Sequence, residues 1–128
     1  METKVVTICG SMRYSREMIK ISEMLELIYG YAVIQCIYNV DLKRYEGVDA
    51  SILDKIHRKK IDISDAIYVV NIDGYIGSST QKEIEYATNL GKEVIYHDYY
   101  NKTQTRCDIC KYHVAVIAYV GHCANRFD

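Results

Sequence analysis

Residues 66–70, Ala-Ile-Tyr-Val-Val, are apolar at every position and are bracketed by Asp65 and Asn71. A strand with one face in water alternates apolar and polar side chains. A short run with no polar member needs cover on both faces. The chain must therefore supply helices to both sides of a sheet, and the rest of the sequence is organised to do so. Val5-Val-Thr-Ile-Cys9 is a second β-branched run, ending at Gly10, and residues 32–37 and 93–96 read as two more strands. Between them, residues 15–29 carry Met18, Ile21, Met24, Leu25 and Ile28 at helical spacing, and Gly30 stops that helix. Residues 51–62 form the next predicted helix, with Ile52, Leu53, Ile56 and Ile61 inward. Residues 81–90 form the third, with Ser79 or Thr80 as N-cap, Glu83 in the first turn and Gly91 beyond the end.

Alternation of strand and helix predicts an α/β fold, a doubly wound parallel sheet in a single domain. Its 128 residues leave little room for a second domain. Proline is absent, so element boundaries rest on Gly, Asp, Asn and Ser. Residues 1–100 make up the expected domain, with a polar loop over residues 38–49. Residues 101–128 are a cysteine-containing tail, expected to pack on the same domain. In sheets of this kind ligands bind beyond the carboxyl ends of the strands. Gly10 to Arg13 and residues 71–80 fall there.

The totals narrow the partners. A formal net charge of −1 gives no reason to expect a nucleic acid or an anionic membrane. No apolar run approaches the ~20 residues that cross a bilayer. The start, Met1-Glu-Thr-Lys into a strand, does not resemble a signal peptide. Five scattered cysteines, an odd number, point to a reducing, cytoplasmic compartment.

Several residues have the chemistry of a binding or catalytic site. Gly10-Ser11-Met12-Arg13 combines a turn glycine, a hydroxyl and a guanidinium fork suited to phosphate; a plain strand-to-helix turn would use the same residues. Gly77, Ser78, Ser79 and Thr80 precede a helix, where hydroxyls and unpaired N–H groups meet the positive end of the dipole; helix capping alone needs only one of them. Tyr75 in the same loop can stack on a base. Glu83 is the candidate nucleophile, since a carboxylate can attack an anomeric carbon. Glu85 competes with it, but lies ~200° round the helix, so one pocket cannot receive both. His57 is a candidate acid or base near neutral pH, in a group with Lys60, Asp62 and Asp65; Asp65 also suits a turn or cap. Cys107 and Cys110, with His113, His122 and Cys123, have half the spacing of a zinc site, but the other half is irregular, and a tail of reduced thiols is expected.

Four blocks together resemble the nucleoside 2-deoxyribosyltransferase-like superfamily: Cys9-Gly-Ser-Met-Arg13, Ile61-Asp-Ile-Ser-Asp-Ala66, Gly74-Tyr-Ile-Gly-Ser-Ser-Thr80 and Glu83-Ile-Glu-Tyr-Ala-Thr-Asn-Leu-Gly-Lys92. The resemblance spans residues 4–98 and lies nearest the 2'-deoxynucleoside 5'-phosphate N-hydrolases. It implies a flavodoxin-like fold, assembly as a homodimer or larger homo-oligomer, no cofactor and a nucleoside monophosphate as the small-molecule partner. Glu83 matches the glutamate that attacks the deoxyribose C1'. Gly10, Ser11 and Arg13 match the turn that holds a 5'-phosphate, and Gly77, Ser78 and Ser79 lie near a serine that helps hold it. Two positions depart from the pattern. Thr7 stands where the family often has a tyrosine that orients the glutamate, and the leaving-base aspartate aligns near His57. The resulting expectation is cleavage or exchange of an N-glycosidic bond in a (deoxy)nucleoside 5'-monophosphate, with Glu83 and His57 or Asp65 catalytic and Asp62 at the substrate. The alternative expectation is a nucleotide-binding or sensor module without catalysis.

Overall fold

The computed structural model describes residues 2–38, 47, 49 and 51–97. Most of the expected loop at 38–49 and all of the expected tail, with Cys107, Cys110, His113, His122 and Cys123, lie outside these residues. The elements run β1 (Val5–Gly10), α1 (Ser15–Leu27), β2 (Ala32–Ile34), α2 (Ser51–Asp62), β3 (Ala66–Val70), α3 (Ser78–Asn89) and β4 (Glu93–Tyr96). Short 3₁₀ turns, Met12–Tyr14 and Ile72–Gly74, follow β1 and β3. The four strands form one parallel sheet in the order β2-β1-β3-β4. This is the α/β doubly wound architecture that the all-apolar strand demands. Among the described residues no helix is long and apolar enough to cross a membrane.

Both faces of the central pair are covered, and the pleat sorts their side chains between two cores. Val6 and Ile8 of β1, with Ala66, Tyr68 and Val70 of β3, pack against Met18, Ile21, Met24 and Leu25 of α1. Cys9, Ile67 and Val69 point the other way, onto Ile61 of α2 and Ile84 and Ala87 of α3. Thr7 shares that second face and is fully buried. Its hydroxyl lies 2.6 Å from Ser64 Oγ, whose own hydroxyl reaches the Lys60 carbonyl at 2.7 Å, so the polar pair at the end of α2 is satisfied internally.

Three local expectations change. Helix α2 turns Leu53, His57, Lys60 and Ile61 inward, whereas Ile52 and Ile56 are exposed. The inward set recurs at i, i+4, i+7 and i+8, a helical stripe that an apolar count misses because two of its four members are polar. Strand β2 stops at Ile34, short of residue 37. Helix α3 begins at Ser78, because Gly77 is its N-cap and accepts from the Gln81 N–H at 2.9 Å. Glu83 therefore sits in the second turn of α3, and its position has no explanation in the helix dipole, which acts over the first turn.

Gly10 is required by packing. A Cβ there would meet Met18 Sδ at 3.1 Å, Val70 Cβ at 3.2 Å and the Val70 carbonyl oxygen at 3.3 Å. The thioether can swing away, but the β3 backbone cannot without losing its pairing with β1. Gly10→Ala is expected to destabilise the fold by about 1–3 kcal/mol through overpacking, read as a lowered urea midpoint at unchanged slope. An unchanged midpoint would show that the two strands separate more easily than this register implies.

Candidate functional site

The chain goes from β1 outward to β2, then returns past β1 to lay down β3 and β4 on the other side. At that reversal the loops leaving β1 and β3 diverge and leave a crevice beyond the carboxyl ends of the strands. The crevice encloses about 840 Å³ and is lined by the start of the β1 loop, one side of α2, and the β3 loop running into α3. Tyr14 ties the two loops together, its hydroxyl donating to the Ile72 carbonyl at 3.1 Å. The β3 loop turns sharply through two residues with positive φ, Asp73 at 55° and Gly74 at 78°. This reversal brings Tyr75 and Gly77 back over the crevice. Glycine suits that backbone region, and aspartate is among the few other residues found there regularly.

At the floor, three side chains from three elements converge. His57 Nε2 of α2 lies 3.2 Å from Glu83 Oε2 of α3 and 3.4 Å from Cys9 Sγ at the end of β1. Cys9 is buried, while His57 and Glu83 are only partly exposed, with 13% and 23% of their side-chain surface open. The Cys9 thiol is held protonated by burial first, and next by the negative charge of Glu83 and a hydrogen bond to it. The consistent arrangement is a carboxylate that accepts from both the thiol S–H and the imidazole Nε2–H, fixed from two sides. Cys36, also on the crevice wall, has its thiol pKa raised by burial.

The expected site residues divide into two groups. Gly10, Ser11, Tyr75, Gly77, Ser78, Ser79, Thr80, His57 and Glu83 all line the crevice. Ser11 uses its hydroxyl locally, accepting from the Arg13 N–H at 3.3 Å. Arg13 is exposed and lies at the rim, its guanidinium stacked 3.9 Å from the centre of the Tyr75 ring. Glu85, the competitor of Glu83, is exposed and lines no part of the crevice. Asp62 and Asp65 do not join the site, which corrects the expectation for both. Asp65 precedes β3 at the amino end of the sheet, where its carboxylate accepts from the Val5 N–H at 2.8 Å. Asp62 closes α2 at that same end and accepts from the Tyr86 hydroxyl. A helix running antiparallel to its strand delivers its last residues to the end opposite the crevice, so both acids have structural partners there.

Cys9 and Asp54 were not among the expected site residues. Asp54 lines the crevice one turn before His57. Its signal in the sequence is the i, i+3 spacing to His57, and that of Cys9 is the period of two that places it on the same sheet face as Thr7, towards α2 and α3. Compared with protein-family models, curated proteins and solved structures, the chain has no match in any of the three.

The buried thiol has a consequence for stability. A thiol whose pKa is raised on folding contributes stability that is complete below its ordinary value of 9.0. That contribution is lost as the pH rises towards the raised one, because the unfolded chain then gives up a proton the folded chain keeps. The urea midpoint is expected to fall between pH 8 and pH 10. Cys9→Ala should lower the midpoint at every pH through lost packing yet flatten this decline. An equally steep decline in Cys9→Ala would place the alkaline sensitivity elsewhere.

Proposed function

We propose that the protein cleaves or exchanges the N-glycosidic bond of a (deoxy)nucleoside 5'-monophosphate, with Glu83 as nucleophile. The observation that carries this reading is the placement of Glu83: a carboxylate fixed by His57 at 3.2 Å, within a crevice at the carboxyl ends of β1 and β3. The resemblance in the four sequence blocks supplies the substrate class, and the crevice has the volume of a small-molecule site, which is typically ~300–1,000 Å³.

The remaining lining suits the ends of such a molecule. The first N–H groups of α3, at Ser78, Ser79 and Thr80, have no carbonyl partner within the helix and border the crevice, as an anion requires. Packing gives no reason for glycine at position 77, where a Cβ would meet only the Tyr75 ring and hydroxyl, at 3.7 Å or more. Close approach of a phosphate to the backbone does give one. Arg13 stands at the rim on Tyr75, within the same loop pair.

In the reaction a Glu83 oxygen forms a bond to C1', and the C1'–N bond breaks with its electron pair passing to the base. His57 or Asp54 protonates the departing nitrogen. Water, or the nitrogen of a second base, then attacks C1' and releases the Glu83 carboxylate; the proton lost from that nucleophile returns to the group that gave one up. Holding the nucleophile between two donors limits its rotation, which is how a fixed carboxylate lowers the entropic cost of attack.

The test is incubation with the common deoxynucleoside and ribonucleoside monophosphates, measuring free base by chromatography. Release is expected from at least one deoxynucleotide. Glu83→Gln should slow it by about 10³-fold or more, and Asp65→Asn should leave it unchanged. Release from Glu83→Gln at the parent rate would overturn the mechanism. Calorimetric binding of a nucleotide with no release across the panel would leave a binding module in place of an enzyme.

A further inference from the structure

The triad on the crevice floor has a second chemical capacity, independent of any reaction at a sugar. Cys9 Sγ, His57 Nε2 and a Glu83 carboxylate oxygen all lie within 4.8 Å of one another. Tetrahedral zinc binds sulfur at about 2.3 Å, imidazole nitrogen at about 2.0–2.1 Å and carboxylate oxygen at about 2.0–2.2 Å. These bond lengths set ligand-to-ligand separations of about 3.5 Å for S···N and about 3.3–3.4 Å for N···O. The corresponding separations here are 3.4 Å and 3.2 Å. We propose that Cys9, His57 and Glu83 form a three-ligand site for a zinc-class divalent cation, its fourth position open to the crevice.

Three features beyond spacing support the site. The donors come from β1, α2 and α3, elements locked together by the core around Ile61, Ile67 and Ile84, so the ligands are brought together by the fold before any cation arrives. The donor set is one sulfur, one imidazole nitrogen and one carboxylate oxygen, which favours zinc and its neighbours over magnesium or calcium, both of which prefer all-oxygen shells. Three protein ligands with an open fourth position are the pattern of sites that exchange a bound water or ligand, whereas structural zinc sites close with four. On binding, the metal–sulfur bond replaces the S–H bond and that proton leaves to solvent, while the Nε2 proton of His57 passes to Nδ1 so that Nε2 offers its lone pair to the cation. Once it ligates, Glu83 shares its negative charge with the cation, which makes it a poorer nucleophile at a sugar.

The tail thiols could bind metal as well, so the test uses full-length protein carrying Cys107→Ser, Cys110→Ser and Cys123→Ser, stripped with a chelator and titrated with Co(II). The expected result is saturable binding of one equivalent with a thiolate-to-cobalt charge-transfer band in the near ultraviolet, displaced by Zn(II). The band should vanish when Cys9→Ser is added, and affinity should drop at least tenfold in Glu83→Gln. Absence of saturable binding, or a band that survives Cys9→Ser, would overturn the site. If the triple variant does not fold, equilibrium dialysis of the parent against Zn(II) serves instead. There Glu83→Gln, a substitution at a partly exposed position, should remove one equivalent, and an unchanged stoichiometry would refute the proposal. These readouts do not depend on base release, so the cation site and the N-glycosidic reading can fail separately. Where both hold, Zn(II) should slow release and chelator should restore it.

Discussion

The parallel pairing of β1 with β3 is the constraint on which the rest of the molecule depends. Five consecutive residue pairs, from Val6 with Ala66 to Gly10 with Val70, hold the two strands in register to their carboxyl ends. Because the chain changes direction at this pair, the two loops leaving it have no helix between them, and a crevice is the geometric result. The pairing continues to its last residue only because position 10 has no side chain. With Val70 and Met18 at little more than 3 Å from where a Cβ would stand, a larger residue would prise apart the strand ends and the loops they carry. A glycine that reads in sequence as a ligand-approach residue is thus first a packing residue. It contributes to the site by keeping Cys9, its neighbour, aimed at α2 and α3.

The fold was legible because its signals are local. The bounds of α2, β3 and β4 follow directly from the apolar patterns, and the parallel sheet follows from an all-apolar run at 66–70. The misplaced details have physical causes. The start of α3 was displaced because Ser79 and Thr80 are good capping residues by type, yet Gly77 takes the role: the loop from Ile72–Gly74 turns early, through Asp73 and Gly74, and the helix begins as soon as the chain clears it. The inner face of α2 departs from the apolar pattern because hydrophobicity alone does not decide burial there. Ile52 and Ile56 outrank His57 and Lys60 on any such scale, but the face is chosen by Ile61 docking on Ile67 and Val69, and helical geometry then carries His57 inward with it.

The site was legible in part, and the division is informative. Residues whose position depends on a strand end followed by a turn, such as Ser11, Tyr75 and Gly77, could be placed from sequence because strand ends are visible there. Asp62 and Asp65 are near β3 in sequence but not near its carboxyl end. They sit before the strand, and a parallel strand carries its two ends some 3.3 Å per residue apart, which over five residues is roughly 15 Å. No local pattern reveals Cys9 as a neighbour of His57 and Glu83. Their sequence separations from Cys9 are 48 and 74 residues, and only the assembled sheet with both helices on one face joins them.

The convergence of these three groups also limits what the crevice can do at one time. A carboxylate that accepts from a thiol and an imidazole retains a lone pair for carbon, so under the proposed reaction the protonated triad holds its nucleophile in place. In the proposed cation site the thiol proton and the Nε2 proton are both displaced, the carboxylate gives electrons to the metal, and the crevice would present a Lewis acid with an open coordination position instead. Both states draw on the same Glu83 carboxylate, and the two separations from His57 Nε2, to Cys9 Sγ and to Glu83 Oε2, lie within about 0.1–0.2 Å of those in a tetrahedral shell. In the two proposals, a bound cation would therefore oppose attack on a sugar, and the balance between them would be set by what reaches Cys9. Cys9 is buried and is not part of the crevice lining, whereas His57 and Glu83 are, so a cation entering from the crevice would meet the imidazole and the carboxylate before sulfur, and a nucleotide already in the crevice would stand in its way.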